Sequence, residues 1–331
     1  KHINAYNNLG VLFQKLAQPQ KARDCYEKSI EINPSNADSY LNLGTLFGEL
    51  EENQKAIDYY EQTIKINPKN RNAYNNLGGI YNKLGNYKNA IDNYEKSIEI
   101  DPKYEITIYN LGVALHATQQ YKKAAEKFKL IKFKNSKSFL LSCLYSLDDK
   151  FNFFETLDDQ IKQGEINAII GSLCSRSEIK YGIKKPNPFC GDPLKYSLKI
   201  DLTKTYDFKD IFVDPIKSFL QQNIFSTTHQ DLLTNGLQTA GNLFDKKNYF
   251  LDRIKDIIYL EVEKYQNHFK ESKEGIISNW PKSYNINAWL VNMKSGGKLY
   301  PHIHDYGWLS GSIYINVPPK LRTDSGNLVV C

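Results

Sequence analysis

The chain has 331 residues, of which 43 are Lys or Arg and 37 are Asp or Glu, and its formal net charge is +6. The basic residues form no block longer than a Lys pair, which argues against a nucleic-acid-binding surface. No apolar run approaches the roughly 20 residues of a membrane-spanning helix, so we expect no membrane partner. The five cysteines include no C-x-x-C pair and are odd in number, which favours reduced thiols and a cytoplasmic location.

The first 138 residues repeat with a period of 34. The recurring small residues and prolines are Gly10, Gly44, Gly78 and Gly112; Ala22, Ala56, Ala90 and Ala124; and Pro34, Pro68 and Pro102. Aromatic residues and leucines return between them at helical spacing, which predicts two helices per unit, closely packed at the small residues. The period and content resemble the tetratricopeptide repeat family. We predict four repeats in a domain covering 1–138, at about 3–36, 37–70, 71–104 and 105–138.

An asparagine also returns every 34 residues on the first helix of each unit. These positions are Asn8, Asn42, Asn76 and Asn110. In tetratricopeptide proteins, which the chain resembles here, this face lines a concave groove. A carboxamide offers two donors and an acceptor, so such a ladder can pair with the backbone of an extended peptide. The alternative is that the asparagines serve only local packing.

The segment 139–183 stays helical by pattern and is predicted to continue and cap the solenoid, because a terminal repeat must cover its neighbour's apolar face. The following stretch "KKPNPFCGDP" is rich in proline and is the predicted domain boundary. A second domain is therefore expected over 184–331.

The second domain begins with "LKYSLKIDLT", whose alternation predicts a strand, and continues with a short helix at "DPIKSFLQQNIF". The segment "LLTNGLQTAGNLF" is predicted to be a turn or strand, and "NYFLDRIKDIIYLEVEKYQNHFKESK" a long amphipathic helix. Alternating segments then flank the pair Gly296-Gly297, which is predicted to form a turn. The expected architecture is a helix packed against an antiparallel sheet.

Two histidines follow this glycine pair at alternate positions. On a strand, residues i and i+2 point to the same face, so His302 and His304 would project together. Two neutral imidazoles on one face suit a first-row metal such as iron. Asp305 is an alternative ligand only if the strand breaks there, because an i+3 side chain otherwise faces away. The structural alternative is a pair of hydrogen-bonded surface histidines.

Residues 284–331 resemble the 2-oxoglutarate and iron(II)-dependent oxygenases of the double-stranded β-helix superfamily. The likeness lies in an "H-x-H…SG-x-Y" core, here His302, His304, Ser310, Gly311 and, one residue late, Tyr314. The superfamily motif has a carboxylate where this chain has His304, which departs from the pattern. The resemblance implies iron(II) and 2-oxoglutarate as cofactors, with His302 and His304 as metal ligands.

The polar side of "SGSIYINV" supplies candidate contacts to the cosubstrate, Ser312 and Tyr314. The resemblance places the distal histidine and the basic 2-oxoglutarate anchor after Cys331, so we expect this chain to be inactive. Lys1 lies inside a repeat and "SGNLVVC" stops in mid-strand by pattern, so we also expect both ends to be cut.

The predicted fold class is a multidomain α then α+β protein, a tetratricopeptide α-solenoid followed by an incomplete double-stranded β-helix (jelly-roll or cupin-like) domain with supporting helices. The predicted function is a dioxygenase that hydroxylates a protein or peptide recruited by the repeats. Two alternatives use the same sequence. One is a non-catalytic scaffold with a degenerate barrel, and the other is a zinc-dependent cupin-type enzyme.

Overall fold

The structure is a computed structural model that describes residues 3–133, 135–221, 227–228, 233–239, 242–246, 248–299 and 309–315, with backbone alone at 227–228 and 294–299. The chain divides into two compact units, Lys1–Gln163 and Gly164–Cys331. The division falls inside the segment 139–183 that the sequence pattern assigns to a solenoid cap.

The described part of the first unit is built from α-helices joined by short turns, as the repeat pattern predicts. They are α1 (Ile3–Lys15), α2 (Pro19–Ile32), α3 (Ala37–Glu49), α4 (Asn53–Ile66), α5 (Arg71–Lys83), α6 (Tyr87–Ile100), α7 (Glu105–Ala117), α8 (Tyr121–Lys129), α9 (Ser136–Ser146) and α10 (Lys150–Lys162). Helices α1 to α8 pack in consecutive pairs, one pair per repeat. A fifth pair, α9 and α10, continues the array.

Each repeat packs a glycine of its first helix against an aromatic ring of its second helix. A Cβ at Gly10 would lie 2.4 Å from the Tyr26 ring, and one at Gly44 would lie 2.6 Å from the Tyr60 ring. The rings are buried, so the glycine leaves the space that they fill. The predicted close approach at the small residues is confirmed.

The interfaces between repeats alternate in polarity. Between the first and second repeats, Ser39 Oγ donates to Asn7 Oδ1 at 3.0 Å and lies 2.8 Å from Ser29 Oγ. Between the second and third, the equivalent places hold Leu41 and Ala73, whose side chains cannot form this hydrogen bond.

The second unit mixes helices with a small sheet in its described part. Its helices are α11 (Ala168–Tyr181), α12 (Asp214–Gln221), α13 (Tyr249–His268) and α14 (Gly275–Ser278), and its strands are β1 (Thr227–Thr228), β2 (Leu233–Thr239) and β3 (Val291–Leu299). The strands form one antiparallel sheet in the order β1-β2-β3. The predicted short helix, long helix and "LLTNGLQTAGNLF" strand are confirmed. This sheet is not a jelly roll by itself, so the double-stranded β-helix stays a prediction.

The predicted strand at "LKYSLKIDLT" is wrong. The segment instead forms 3₁₀ turns at Pro193–Tyr196 and Leu202–Lys204, with no strand between them. Pro193 opens the first turn, and the alternating apolar side chains Leu198 and Ile200 stay 40% and 47% exposed. Without an apolar surface to cover, the alternation does not produce a strand.

The predicted turn at Gly296-Gly297 is also wrong, because β3 runs through both glycines. Gly236 of β2 pairs with Met293, and Thr234 pairs with Lys298. One residue of β2, Asn235, therefore lies opposite four residues of β3, and the glycine pair belongs to a bulge. Asn235 has φ 48°, so both strands depart from regular geometry at this point.

Helix α13 forms the core of the second unit together with the residues that lead into β3. Leu251, Ile254 and Ile257 of α13 are buried in one cluster, against which Ala288 and Leu290 pack. The backbone of this approach segment is held by a Leu243 N–H bond to the Ala288 carbonyl at 2.8 Å and by a Leu290 N–H bond to Thr239 Oγ1 at 3.1 Å. The predicted packing of this helix on the antiparallel sheet itself stays a prediction, because the described contacts of the cluster are with the segment that leads into β3.

Candidate functional site

The four ladder asparagines lie on the first helix of each repeat, one each on α1, α3, α5 and α7. Asn8 is exposed, and Asn42, Asn76 and Asn110 are half-buried. Such exposure leaves part of each amide accessible to a ligand, which a peptide-binding ladder requires.

The amides of the ladder differ in how they are held. Asn76 Oδ1 accepts a hydrogen bond from Asn75 Nδ2 at 3.1 Å, and Asn110 Nδ2 donates to Asn75 Oδ1 at 3.0 Å. Within the described residues, the side chains of Asn8 and Asn42 have no hydrogen-bond partner. The sequence predicts four equivalent asparagines. In the structure the side chains of Asn76 and Asn110 are hydrogen-bonded to Asn75, whereas those of Asn8 and Asn42 have no hydrogen bond within the described residues.

Tyr60 joins the ladder from the second helix of the second repeat. Its hydroxyl lies 3.4 Å from Thr45 Oγ1, and the Asn76 side chain is close enough to lower its pKa. Burial raises the pKa of Tyr60, and the side chains of Thr45 and Asn76 act in the opposite direction. The phenol therefore stays protonated at neutral pH and acts as a neutral partner of Asn76.

Asn75 is a residue that sequence reasoning missed. It is 8% exposed and bonds to both Asn76 and Asn110. Its position does not hold asparagine in every repeat, because the places 34 residues before and after hold Leu41 and Tyr109. The only signal in the sequence is the asparagine pair Asn75-Asn76 in "YNNLG", which the first repeat shares.

The candidate metal ligands His302, His304 and Asp305 lie outside the described residues. The last described strand, β3, ends at Leu299, whose partner is Leu233 of β2. Among the residues that the structure describes, no group of three or more His, Cys, Asp or Glu side chains could hold a metal ion. The metal site predicted from the sequence therefore stays a prediction.

The candidate cosubstrate contacts Ser312 and Tyr314 lie in the described segment 309–315. This segment carries no strand, so the strand predicted for "SGSIYINV" is not present over these residues. Ser312 is exposed and Tyr314 is 54% exposed, while Ile315 packs against the core cluster of α13. One anchored apolar residue holds the end of the segment near the core, and its polar side chains remain accessible.

The cysteines of the described part are buried and form no disulfide with one another: Cys25, Cys143, Cys174 and Cys190. Burial raises the pKa of Cys143 to about 12. A thiol in that state is neither a good nucleophile nor a metal ligand at neutral pH, so this cysteine serves packing.

Comparison with known families finds three matches. Sequence models of the tetratricopeptide repeat match residues 1–69 and 72–104. A family described as "Putative 2OG-Fe(II) oxygenase" matches residues 287–328, a region that contains His302, His304, Ser312 and Tyr314. No curated protein matches the chain.

Several solved structures resemble the helical part. The pilF protein of Pseudomonas aeruginosa is 21% identical, with a TM-score of 0.48, over 54% of this chain and 84% of that one. The type IV pilus biogenesis factor PilW is 18% identical, with a TM-score of 0.47, over 55% and 87%. MamA of Desulfovibrio magneticus RS-1 is 18% identical, with a TM-score of 0.45, over 49% and 94%. These scores are too low to support an argument about function.

None of the helices in the described residues combines the length and apolar character that a bilayer span requires. The chain thus has tetratricopeptide repeats in its N-terminal part and, near its C-terminus at residues 287–328, a region that matches the family described as "Putative 2OG-Fe(II) oxygenase".

Proposed function

We propose that this chain is part of a 2-oxoglutarate- and iron(II)-dependent dioxygenase whose repeats recruit the peptide or protein that is hydroxylated. The observation that carries the proposal is the oxygenase match over 287–328, which contains both histidines of the H-x-H motif. The tetratricopeptide repeats on the same chain support a protein or peptide as the partner. A location in the cytoplasm stays a prediction.

In this proposal His302 and His304 hold the iron, with Asp305 as the alternative carboxylate ligand. Two imidazoles fit the ligand preference of iron(II), although the carboxylate of the family pattern is replaced by His304. Bound iron and 2-oxoglutarate would supply the oxidative chemistry with dioxygen. The hydroxyl groups of Ser312 and Tyr314 are donors that suit a carboxylate, and both side chains are accessible.

The domain organisation in this proposal follows the sequence pattern. Four tetratricopeptide repeats occupy 1–138, the helical segment 139–183 continues and caps them, and the oxygenase-like domain occupies 184–331. The repeats supply a ladder of amides, of which Asn8 and Asn42 are available to a new partner. A peptide in extended conformation would present its backbone to these amides.

The proposal is tested by succinate formation from 2-oxoglutarate in the presence of iron(II) and dioxygen. The full-length gene product and its His302→Ala variant are compared, with His268→Ala as a control, because His268 is an exposed residue of α13. We expect succinate from the unmodified protein and from His268→Ala, and only background from His302→Ala. If all three proteins form succinate only at the background level, the proposal is contradicted. The remaining hypotheses are then the non-catalytic scaffold and the zinc-dependent cupin-type enzyme.

A further inference from the structure

Asn75 uses most of its hydrogen-bonding capacity inside the repeat array. Its Oδ1 accepts from Thr107 Oγ1 and from Asn110 Nδ2, both at 3.0 Å, and its Nδ2 donates to Asn76 Oδ1 at 3.1 Å. The side chain is 8% exposed. A buried amide with three partners has one orientation, because turning it over would oppose donor to donor and acceptor to acceptor.

The orientation of Asn75 fixes the two ladder amides beside it. The Asn76 oxygen accepts a hydrogen bond from Asn75, and the Asn76 side chain lies close enough to the Tyr60 hydroxyl to lower its pKa. Asn110 has one N–H on Asn75, which leaves its oxygen and its second N–H without a partner among the described residues. Asn110 therefore offers one acceptor and one donor in a set direction.

Thr107, on the first helix of the fourth repeat, helps to fix the orientation of Asn75. Its hydroxyl lies 3.1 Å from Ser97 Oγ, and Ser97 in turn donates to the Arg71 carbonyl at 2.9 Å. Arg71, Ser97 and Thr107, which these contacts link, lie on three different helices, α5, α6 and α7. The orientation of Asn75 is consequently set by the packing of two repeats and not by one helix alone.

The first half of the ladder lacks this arrangement. Leu41 occupies the place equivalent to Asn75 beside Asn42, and it offers no hydrogen bond. Asn7 occupies the equivalent place beside Asn8 and bonds to Ser39, with no described bond to Asn8 or Asn42. The first interface thus has a similar polar pair, Asn7 and Ser39, but this pair has no described hydrogen bond to the ladder asparagines Asn8 and Asn42.

We propose that Asn75 is a positioning residue of the groove, which preorients Asn76 and Asn110 for the backbone of an extended peptide. The inference rests on the proposed peptide-binding role of the repeats. Orienting two amides in advance removes the cost of immobilising them when the ligand binds. Asn76 and Asn110 then contribute most of the affinity for the peptide, while the side chains of Asn8 and Asn42 take up their orientation when the peptide binds.

The test replaces Asn75 and Thr107 by the residues that this chain has at the equivalent places between its second and third repeats. The variant N75L/T107A copies Leu41 and Ala73, and the matched control N7L/S39A makes the same change at the first interface, away from the ladder amides. The probe is a twelve-residue peptide selected from a random-sequence library against the unmodified chain, with its affinity measured by fluorescence polarisation. We expect N75L/T107A to bind about tenfold more weakly, and N7L/S39A within twofold of the unmodified chain.

A second readout needs no peptide. Hydrogen exchange of the Asn110 side-chain N–H that donates to Asn75, followed by NMR with asparagine-selective labelling, is expected to be slowed in the unmodified chain and in N7L/S39A. It is expected to be fast in N75L/T107A. Circular dichroism checks that each variant is folded, and N75A replaces the double variant if the latter unfolds.

The outcomes separate the inference from the proposed function. If no peptide is selected above background, the peptide-binding role of the groove fails, and the inference fails with it. If a peptide binds N75L/T107A as tightly as the unmodified chain, the positioning role alone is wrong. Rapid exchange of the Asn110 N–H that donates to Asn75 in the unmodified chain would also overturn it.

Discussion

Gly78 of α5 lies directly against the ring of Tyr94 on α6. A Cβ at Gly78 would come within 2.7 Å of Tyr94 Cε1 and within 3.2 Å of the Ala90 carbonyl oxygen. Tyr94 is 2% exposed, so its ring has no free volume to move into. The same relationship recurs at Gly10, Gly44 and Gly112, which is why glycine returns every 34 residues.

The first prediction concerns this contact. Gly78→Ala is expected to lower the free energy of unfolding by about 1–3 kcal/mol, because the methyl group overpacks a closed interface. The neighbouring Gly79→Ala is the control, since its Cβ would meet only Tyr94 Oη at 4.0 Å. Gly79→Ala should be neutral or stabilising by up to about 1 kcal/mol, because alanine favours a helix interior over glycine. Urea unfolding followed by circular dichroism measures both, and equal costs would contradict the packing argument.

The second prediction concerns the free rungs of the ladder. Asn42→Ala is expected to weaken binding of a selected peptide while changing the free energy of unfolding by less than about 0.5 kcal/mol, because the Asn42 side chain has no partner in the described residues. Asn76→Ala is expected to reduce both quantities, since Asn76 accepts a hydrogen bond from the buried Asn75. The comparison uses fluorescence polarisation for affinity and urea unfolding for stability. If both variants bind the peptide as tightly as the unmodified chain, Asn42 and Asn76 do not bind peptide and serve only local packing.

The third prediction concerns alkaline pH. Burial raises the pKa of Cys143 from 9.0 to about 12 and, with smaller effects of Glu49 and Cys25, the pKa of Tyr26 from 10.0 to about 12. Between pH 9 and 12 the folded chain keeps protons that the unfolded chain releases, so stability is present below pH 9 and falls as pH rises. The slope for Cys143 is up to about 1.4 kcal/mol per pH unit.

Urea unfolding at pH 8 and pH 10.5 measures this effect. Cys143→Ala should lose less stability between the two values than the unmodified chain, because it lacks the titrating thiol. An identical loss in both proteins would show that Cys143 does not contribute.

The fourth prediction concerns the loop at the predicted domain boundary. Asn187 Oδ1 accepts from the Phe189 and Cys190 N–H groups at 3.1 Å, and its Nδ2 donates to the Gly171 carbonyl at 3.0 Å and to Ser175 Oγ at 3.3 Å. Removing this side chain takes away the acceptor of two backbone N–H groups, those of Phe189 and Cys190. Asn187→Ala is therefore expected to cost about 2–3 kcal/mol.

Tryptophan fluorescence reports this cost, because all three tryptophans of the chain lie after Gln163. Ser175→Ala removes one of the four contacts and should cost about 1 kcal/mol or less. A cost for Asn187→Ala as small as that for Ser175→Ala would show that the loop is held by other contacts.

The repeats were predictable because their spacing and their contacts share one period. Gly44 and Tyr60 are 16 residues apart in the sequence and touch in the structure, and the same offset holds for Gly78 and Tyr94. Local patterns of this kind carry enough information to place each helix of the array. Asn75 could not be found in this way, since its partners come from two repeats and its position holds Leu41 one period earlier.

The errors in the second unit have physical causes. A glycine pair between alternating segments favours a turn, but the bulge opposite Asn235 places similar demands on the backbone of β3. Alternation in "LKYSLKIDLT" indicates a strand only where a neighbouring surface covers the apolar side chains, and Leu198 and Ile200 have no such cover. Tertiary contacts decided both segments, and these are not visible in a local pattern.

The most direct test of the account is metal binding by His302 and His304. Titration of the 331-residue chain with cobalt(II), a spectroscopic probe for an iron(II) site, is compared with the variant H302A/H304A and with His268→Ala. We predict that the unmodified chain and His268→Ala bind cobalt(II) at least about tenfold more tightly than H302A/H304A. Equal binding by all three proteins would contradict an iron site at the H-x-H motif.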